Sequence, residues 1–132
     1  MIDIKHIVIR EANRKDAVPV TELLRRTGLF MPEDKNIDSH WDRLWTNNPS
    51  YKDFPSPPHF GWVMEYENRI VGYFGCFQRT YYLNGKPLQV SVSSQWGVEK
   101  EFRKFTILLC EKYFSENPVE FKLNTTAQDA SG

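Results

Sequence analysis

Residues 88–109 read LQVSVSSQWGVEKEFRKFTILL, and the period of their apolar residues changes part-way along. Up to Val98 apolar and polar residues alternate, as they do in a β-strand. From Phe102 and Phe105 onward the apolar residues recur at helical spacing. The stretch therefore predicts a strand over Leu88–Val98 that leads directly into a helix.

The two faces of this predicted strand differ in chemistry. The apolar face carries Leu88, Val90, Val92, Trp96 and Val98. The opposite face carries Ser91, Ser93 and Gln95, and the alternation predicts either a solvated face or the lining of a ligand groove. Gly97 predicts a β-bulge close to the end of the strand.

The residues before this strand predict one strand and two helices. His6–Arg10 is short and rich in β-branched residues, which favours a strand. A helix follows it, with capping residues in Asn13–Asp16 and a C-terminal glycine at Gly28. A second, shorter helix carries Trp41 and Trp45 in one apolar stripe.

Three further segments complete the predicted sheet. Trp62–Tyr66 and Ile70–Tyr82 alternate as strands, and Asn84-Gly85 predicts a type I′ hairpin turn because both central residues of that turn need positive φ. After the third helix, Val119–Leu123 predicts a short final strand. The order β-α-α-β-β-β-α-β predicts an α+β fold with a mixed sheet, in a single domain over residues 1–132.

The composition excludes several classes of partner. The 17 Lys and Arg residues balance 17 Asp and Glu residues, so no net charge attracts nucleic acid or an anionic membrane. The first residues are charged and no apolar run approaches the roughly 20 residues of a membrane span, so we expect a cytoplasmic protein.

The cysteines and histidines indicate no metal site. Cys76 and Cys110 lie in apolar segments without a second ligand at a suitable spacing, which predicts buried thiols. The histidines His6, His40 and His59 belong to three separate segments, so we interpret them as surface or packing residues.

Four short motifs occur in a distinctive order along the chain. They are Ile9-Arg10-Glu-Ala before a helix, Gly61-Trp-Val at the start of a strand, Arg69-Ile-Val-Gly72-Tyr-Phe-Gly, and Trp96-Gly-Val98-Glu-Lys-Glu-Phe102-Arg103. Their order and spacing resemble the N-terminal and central part of the GNAT-type N-acetyltransferases, over nearly the whole chain. The resemblance implies transfer of an acetyl group from acetyl-CoA to an amine on a small molecule or a peptide.

The resemblance also implies where acetyl-CoA binds. The positions that match the strand backbone that pairs with the pantetheine arm are Trp96, Gly97 and Val98. The positions that match the loop around the pyrophosphate are Arg103, Lys104, Phe105 and Thr106. Nearby carboxylates are Glu65, Glu99 and Glu101, and the sequence does not assign a general base among them.

Two features differ from the family pattern. The family has glycines after its arginine, which let a phosphate approach the backbone, whereas residues 103–109 here read RKFTILL. The family also continues past the last strand with a helix and a hairpin, so we expect the domain to be incomplete at its C-terminus.

These differences leave other functions open. One is a degenerate, non-catalytic module that binds CoA or a protein partner, and another is a purely structural module that forms homodimers. An unpaired strand over Val119–Leu123 predicts a homodimer through the exposed sheet edge, or a fragment of a longer polypeptide that covers this edge.

Overall fold

The structure is a computed structural model and describes residues 2–29, 33–43, 47–48, 60–93, 95–116 and 121–124. The helices are α1 (Ala17–Arg26), α2 (Ile37–Trp41) and α3 (Thr106–Glu116). The strands are β1 (Ile7–Glu11), β2 (Trp62–Tyr66), β3 (Arg69–Phe74), β4 (Cys76–Leu83), β5 (Lys86–Ser93), β6 (Gly97–Val98) and β7 (Phe121–Asn124). Short 3₁₀ helices occur at Ile4–His6, Arg14–Asp16, Asp34–Asn36 and Lys100–Phe105.

The strands form two sheets, which confirms the α+β class. One sheet has the antiparallel order β1-β2-β3-β6, and the other has the order β4-β5-β7, in which β5 and β7 run parallel. The predicted strand Ile70–Tyr82 therefore divides into β3 and β4, and Leu88–Val98 divides into β5 and β6. Each divides because the chain passes from one sheet to the other at that point.

Local chemistry fixes the bounds of α1. The Asn13 side chain and the Asp16 carboxylate form a capping box before the helix, and Asp16 accepts the Asn13 backbone N–H at 2.8 Å. Gly28 follows the last turn with a φ of +103°, as the predicted C-terminal glycine requires. The buried side of the helix includes Leu23 and Leu24.

The helices cover both faces of the first sheet. The core beside α1 and α2 includes Val20, Leu23, Leu24, Trp41, Val63 and Tyr73. The core beside α3 includes Trp62, Met64, Val71, Leu109 and Tyr113. Neighbouring residues of β2 alternate between the two clusters, as strand geometry requires. The elements around the strand junction are therefore held from both sides.

The hairpin predicted at Asn84-Gly85 is confirmed. Asn84 has a φ of +51° and Gly85 a φ of +79°, and the flanking pair Leu83 and Lys86 closes the β4–β5 ladder. The pairing register of the longest ladder in the fold is thus set by two residues.

The prediction of a solvated polar face on β5 is wrong for its serines. Ser91 and Ser93 are 0% and 1% exposed. The strand lies between β4 and β7, and the Tyr113 hydroxyl of α3 donates a hydrogen bond to the Ser91 carbonyl oxygen at 3.2 Å. Because α3 covers this face, small polar side chains here mark close packing and not contact with water.

The cysteines are both thiols, as predicted. Cys76 is fully buried, and this burial raises its pKa to about 12. Cys110 is partly buried, and burial raises its pKa as well. Within the described residues no helix is both long enough and apolar enough to cross a bilayer.

Several predicted bounds change at the ends of elements. The third helix begins at Thr106, because Lys100–Phe105 forms a 3₁₀ helix before it. The second helix is described only over Ile37–Trp41, so the predicted contribution of Trp45 lies outside the described residues. In the final strand, Val119 also lies outside them.

Candidate functional site

The candidate site is the point where the chain leaves β5 and enters β6. β5 pairs with β7 as far as Ser93 and Asn124, whereas β6 pairs with β3 through Gly97 and Val98. None of the other described strands pairs with the remaining edge of β6. That edge is on the same side of the chain as β7, so backbone hydrogen-bonding groups of β6 are available beside the end of β7.

A β-bulge separates β5 from β6. Three residues lie between Ser93 and Gly97, whereas only two lie between their partners Cys76 and Tyr73. Gln95 occupies this bulge with a φ of +59°, a conformation that non-glycine residues rarely adopt. The predicted bulge thus exists, but it is centred on Gln95 and not on Gly97.

Gly97 is required for a different reason. A Cβ atom at this position would lie 2.6 Å from Oγ1 of Thr27 and 3.2 Å from a methyl carbon of Leu24. The end of α1 therefore packs directly against the β6 backbone. The glycine serves close packing of the helix on the strand end.

The other two residues predicted to contact pantetheine lie on either side of Gly97. The ring of Trp96 is partly buried and packs on Phe74, with 5.8 Å between ring centroids. Val98 is buried in the core beside α3, and its carbonyl oxygen accepts a hydrogen bond from Nε of Arg103 at 3.4 Å. Because the side chains of Trp96 and Val98 are packed, the exposed groups of β6 are mainly its backbone N–H and carbonyl groups.

The predicted pyrophosphate residues lie at the start of α3. Arg103 and Lys104 are exposed, and Nζ of Lys104 lies 5.2 Å from the ring centroid of Phe105. The Phe105 ring is partly buried against the core, and Thr106 is the first residue of α3. Two cations and one hydroxyl group thus stand together at the N-terminal end of a helix.

The backbone of this segment differs from an open anion-binding loop. In the 3₁₀ helix the Phe102 N–H donates to the Glu99 carbonyl oxygen at 2.8 Å, and the Thr106 N–H donates to the Arg103 carbonyl oxygen. These amides are therefore used inside the turn, and side chains carry much of the capacity to bind an anion.

An ion-pair cluster fixes the position of this turn. The Glu99 carboxylate binds Arg26 at 2.8 Å and also binds Arg69, and its backbone N–H donates to the Val71 carbonyl oxygen. Although burial raises the pKa of Glu99, hydrogen bonds from Arg69 and Arg26 hold it below the ordinary value. Glu99 therefore joins α1, β3 and the 3₁₀ helix as an ionised group.

Arginines contact two of the three carboxylates considered from sequence. Glu99 binds two arginines, and Glu65 accepts a hydrogen bond from Nε of Arg10. Because its two guanidinium partners favour the charged form, Glu99 is a weak base. Glu101 is exposed and lines a depression of about 340 Å³ beside the ion-pair cluster.

The structure also brings a histidine to the bulge, which the sequence did not indicate. His40 of α2 lies with its Nε2 atom 2.8 Å from the side-chain amide of Gln95. The two residues are 55 positions apart, so no local spacing could have identified this pair.

Comparison with solved structures identifies the architecture. A glucosamine-6-phosphate N-acetyltransferase from Arabidopsis thaliana superposes with a TM-score of 0.59 and 14% sequence identity, over 92% of this chain and 82% of that one. A GNAT family acetyltransferase from Staphylococcus aureus superposes with a TM-score of 0.60 and 16% identity, over 93% and 88% of the two chains. The chain has the GNAT acetyltransferase fold.

A further similar structure includes a CoA compound. It is AAC(6')-Iy in complex with the bisubstrate analogue CoA-S-monomethyl-acetylneamine, with a TM-score of 0.59 and 15% identity over 94% of this chain and 82% of that one. No protein-family model matches the sequence, and no curated protein matches it. At sequence identities this low, the similarity establishes the fold alone. The chemistry must therefore be inferred from the residues of the site.

Proposed function

We propose that this protein is an acetyl-CoA-dependent N-acetyltransferase that transfers an acetyl group to an amine of a small molecule or a peptide. The observation that carries this proposal is the bulge at Gln95, where β5 leaves β7 and β6 presents a backbone edge next to the start of α3. A flexible thioester arm can add to such an edge as a strand does. The GNAT fold and the CoA analogue bound by AAC(6')-Iy support the choice of acetyl-CoA.

In this proposal each predicted residue has a role that its position allows. The backbone of Trp96, Gly97 and Val98 hydrogen-bonds the pantetheine arm. The guanidinium group of Arg103 and the ammonium group of Lys104 bind the pyrophosphate, because both are exposed and charged.

The helix start contributes the remaining contacts. The Thr106 hydroxyl group donates a hydrogen bond to a phosphate oxygen, and the Phe105 ring, which packs against the core, supports the Lys104 side chain above it. The first N–H groups of the turn and the dipole of α3 add a favourable field for the anion.

The reaction then requires three things of the site. The thioester must lie beside the amine, a base must remove a proton from the ammonium form, and a donor must stabilise the oxyanion. Backbone N–H groups at the edge of β6 supply such a donor in this proposal.

A second candidate is supported by the 3₁₀ helix over Lys100–Phe105. Because its amides are used internally and residues 103–109 contain no glycine, the same site also suits a non-catalytic module that binds CoA or a protein partner. A homodimer through the β7 edge belongs to this alternative, and light scattering measures it directly as twice the chain mass.

Binding is tested by thermal denaturation with acetyl-CoA. At 100 times its dissociation constant a ligand stabilises the folded state by about 2.7 kcal/mol, which raises Tm by about 8–13 °C for a domain of this size. Lys104→Glu is expected to reduce this rise by more than half. The matched control is Lys86→Glu, an equal charge change at an exposed hairpin residue.

Catalysis is tested separately by mass spectrometry of amines incubated with acetyl-CoA. Acetylated product supports the enzyme. Stabilisation by acetyl-CoA without product supports the non-catalytic module. No stabilisation at millimolar acetyl-CoA contradicts both, and the site is then not a CoA site.

A further inference from the structure

The side chain of His40 lies between the strand bulge and the surface. Its Nε2 atom is 2.8 Å from the side-chain amide of Gln95, and its Nδ1 atom is 3.2 Å from Nη2 of Arg43. His40 therefore connects α2 to Gln95, the residue with positive φ in the bulge between β5 and β6.

The two contacts determine the tautomer of the ring. Arg43 can only donate, so Nδ1 must present its lone pair. A neutral imidazole then carries its proton on Nε2, so the Gln95 amide, whose nitrogen lies 2.8 Å from that atom, must rotate by 180° to present its oxygen as the acceptor. The ring is held as a neutral group whose basic atom, Nδ1, points to the exposed Arg43 side.

The surroundings favour this neutral form. Partial burial lowers the pKa of His40, and the positive charge of Arg43 lowers it further, whereas the Gln95 hydrogen bond opposes them. Arg43 is the charged group that acts on the ring from the described part of the chain, and Gln95 faces it from the strand bulge.

We propose that His40 is the general base of the acetyl transfer, with Gln95 as the positioning residue that holds its ring beside the thioester. This inference rests on the proposed function. Gln95 directly precedes Trp96, the first residue of the backbone proposed to bind pantetheine, so the ring stands beside the bulge from which that backbone starts.

Each proton and each bond in the proposed transfer is accounted for. The substrate ammonium displaces the exposed Arg43 guanidinium from Nδ1, which replaces one cationic donor with another at little cost. Nδ1 takes a proton, and the neutral amine attacks the thioester carbonyl carbon. The C–N bond forms, the C–S bond breaks, the second amine proton passes to the departing sulfur, and the imidazolium releases its proton to water.

The structure favours His40 over the carboxylates as the base. Two arginines hold Glu99 as an anion and Glu65 accepts a hydrogen bond from Arg10, whereas the basic nitrogen of His40 faces one exposed arginine. General bases work best when their pKa is close to the operating pH, which suits an imidazole.

The test compares His40→Gln with His6→Gln, a change at an exposed histidine in the 3₁₀ helix before β1. Both variants and the natural chain are incubated with acetyl-CoA and a set of primary amines that includes glucosamine 6-phosphate and an aminoglycoside. We expect His40→Gln to lower kcat by about 100-fold or more. The rise in Tm with acetyl-CoA is expected to stay unchanged, and His6→Gln to match the natural chain.

A pH profile separates a base from a structural residue. The natural chain is expected to lose kcat/KM as pH falls through the pKa of His40, because the base must be neutral, and His40→Gln is expected to lack this acid limb. Added imidazole is expected to restore at least tenfold activity to His40→Gly. The inference is overturned if His40→Gln lowers kcat by less than about 100-fold, or if its kcat/KM profile keeps the acid limb. Neither result contradicts the proposed acetyltransferase activity.

Other outcomes are also decisive. If the natural chain acetylates no amine and is not stabilised by acetyl-CoA, the proposed function fails and the role of His40 fails with it. If His40→Gln does not fold, NMR titration of the imidazole in the natural chain decides. The pKa of His40 is expected to coincide with the acid limb of kcat/KM, and a limb that falls at a different pH overturns the base assignment.

Discussion

Gly97→Ala tests whether α1 packs against the strand end as tightly as the structure indicates. The added methyl carbon would lie 2.6 Å from Oγ1 of Thr27, an atom that is hydrogen-bonded to the Leu23 and Leu24 carbonyl oxygens at 3.0 and 3.1 Å. Either Thr27 rotates and loses a hydrogen bond of about 1 kcal/mol, or the strand end moves away from the helix. Both responses lower the free energy of unfolding.

The expected loss can be bounded. Overpacking costs about 1–3 kcal/mol, and replacing glycine by alanine returns about 0.4–1 kcal/mol through the unfolded state. The net loss in Gly97→Ala is thus between about 0 and 2.6 kcal/mol, with a middle value of about 1.3 kcal/mol, or about 5 °C in Tm for a domain of this size.

The assay is a double-mutant cycle in urea, with Thr27→Ala and Thr27→Ser as the second changes. Thr27→Ala removes Oγ1, after which the closest remaining contacts of the new methyl carbon are at 3.2 and 3.4 Å. In that background Gly97→Ala is expected to cost less than about 0.5 kcal/mol. Thr27→Ser keeps the hydroxyl oxygen, so the full cost is expected to remain. Equal costs in the two backgrounds would refute the close contact between Thr27 and β6.

Two further perturbations test the fold. Gly61→Ala is expected to lower the free energy of unfolding by at least about 2 kcal/mol more than Gly28→Ala. Their φ values are +104° and +103°, but only the Gly61 methyl carbon would collide with backbone, at the Phe74 carbonyl oxygen. Similar denaturation midpoints for the two variants would contradict this.

Asp16→Asn is expected to cost about 1–3 kcal/mol at pH 7, because it breaks the part-buried ion pair between Asp16 and Arg10, which has two 2.8 Å hydrogen bonds. Although burial raises the pKa of Asp16, Arg10 and the Asn13 N–H hold it below 3.8, so this contribution is present above pH 4 and is lost as pH falls through the folded pKa. A difference between variant and natural chain that stays constant down to pH 2 would exclude the pair as its cause.

The features that sequence predicted correctly are those decided by neighbours along the chain. Asn84-Gly85 determines its hairpin because only a few residues tolerate two successive positive φ values. The cap at Asn13 and the glycine after α1 are equally local. Periodicity placed the strand before the helix, although the 3₁₀ helix over Lys100–Phe105 has too few residues to show a period of its own.

The incorrect or missing predictions depend on residues that are distant in sequence. The sequence predicts the bulge at Gly97, but contact with Thr27, which directly follows α1, explains that glycine. The bulge falls on Gln95 because the two ladders differ in register. The alternation in sequence is compatible with an exposed Ser91, whereas in the fold α3 covers this residue. The contact between His40 and Gln95 carries no local signal at all.

The absence of glycine from residues 103–109 and the ion pairs of Glu99 belong to one arrangement. Glu99 ties the turn to α1 and β3 through Arg26 and Arg69, and the 3₁₀ helix then uses its own amides for internal hydrogen bonds. A turn fixed in this way cannot fold its backbone around a phosphate, so any anion bound here is held chiefly by exposed cations. The proposed site therefore depends on side-chain charge, and its affinity for acetyl-CoA should fall steeply with ionic strength, as exposed charge pairs do.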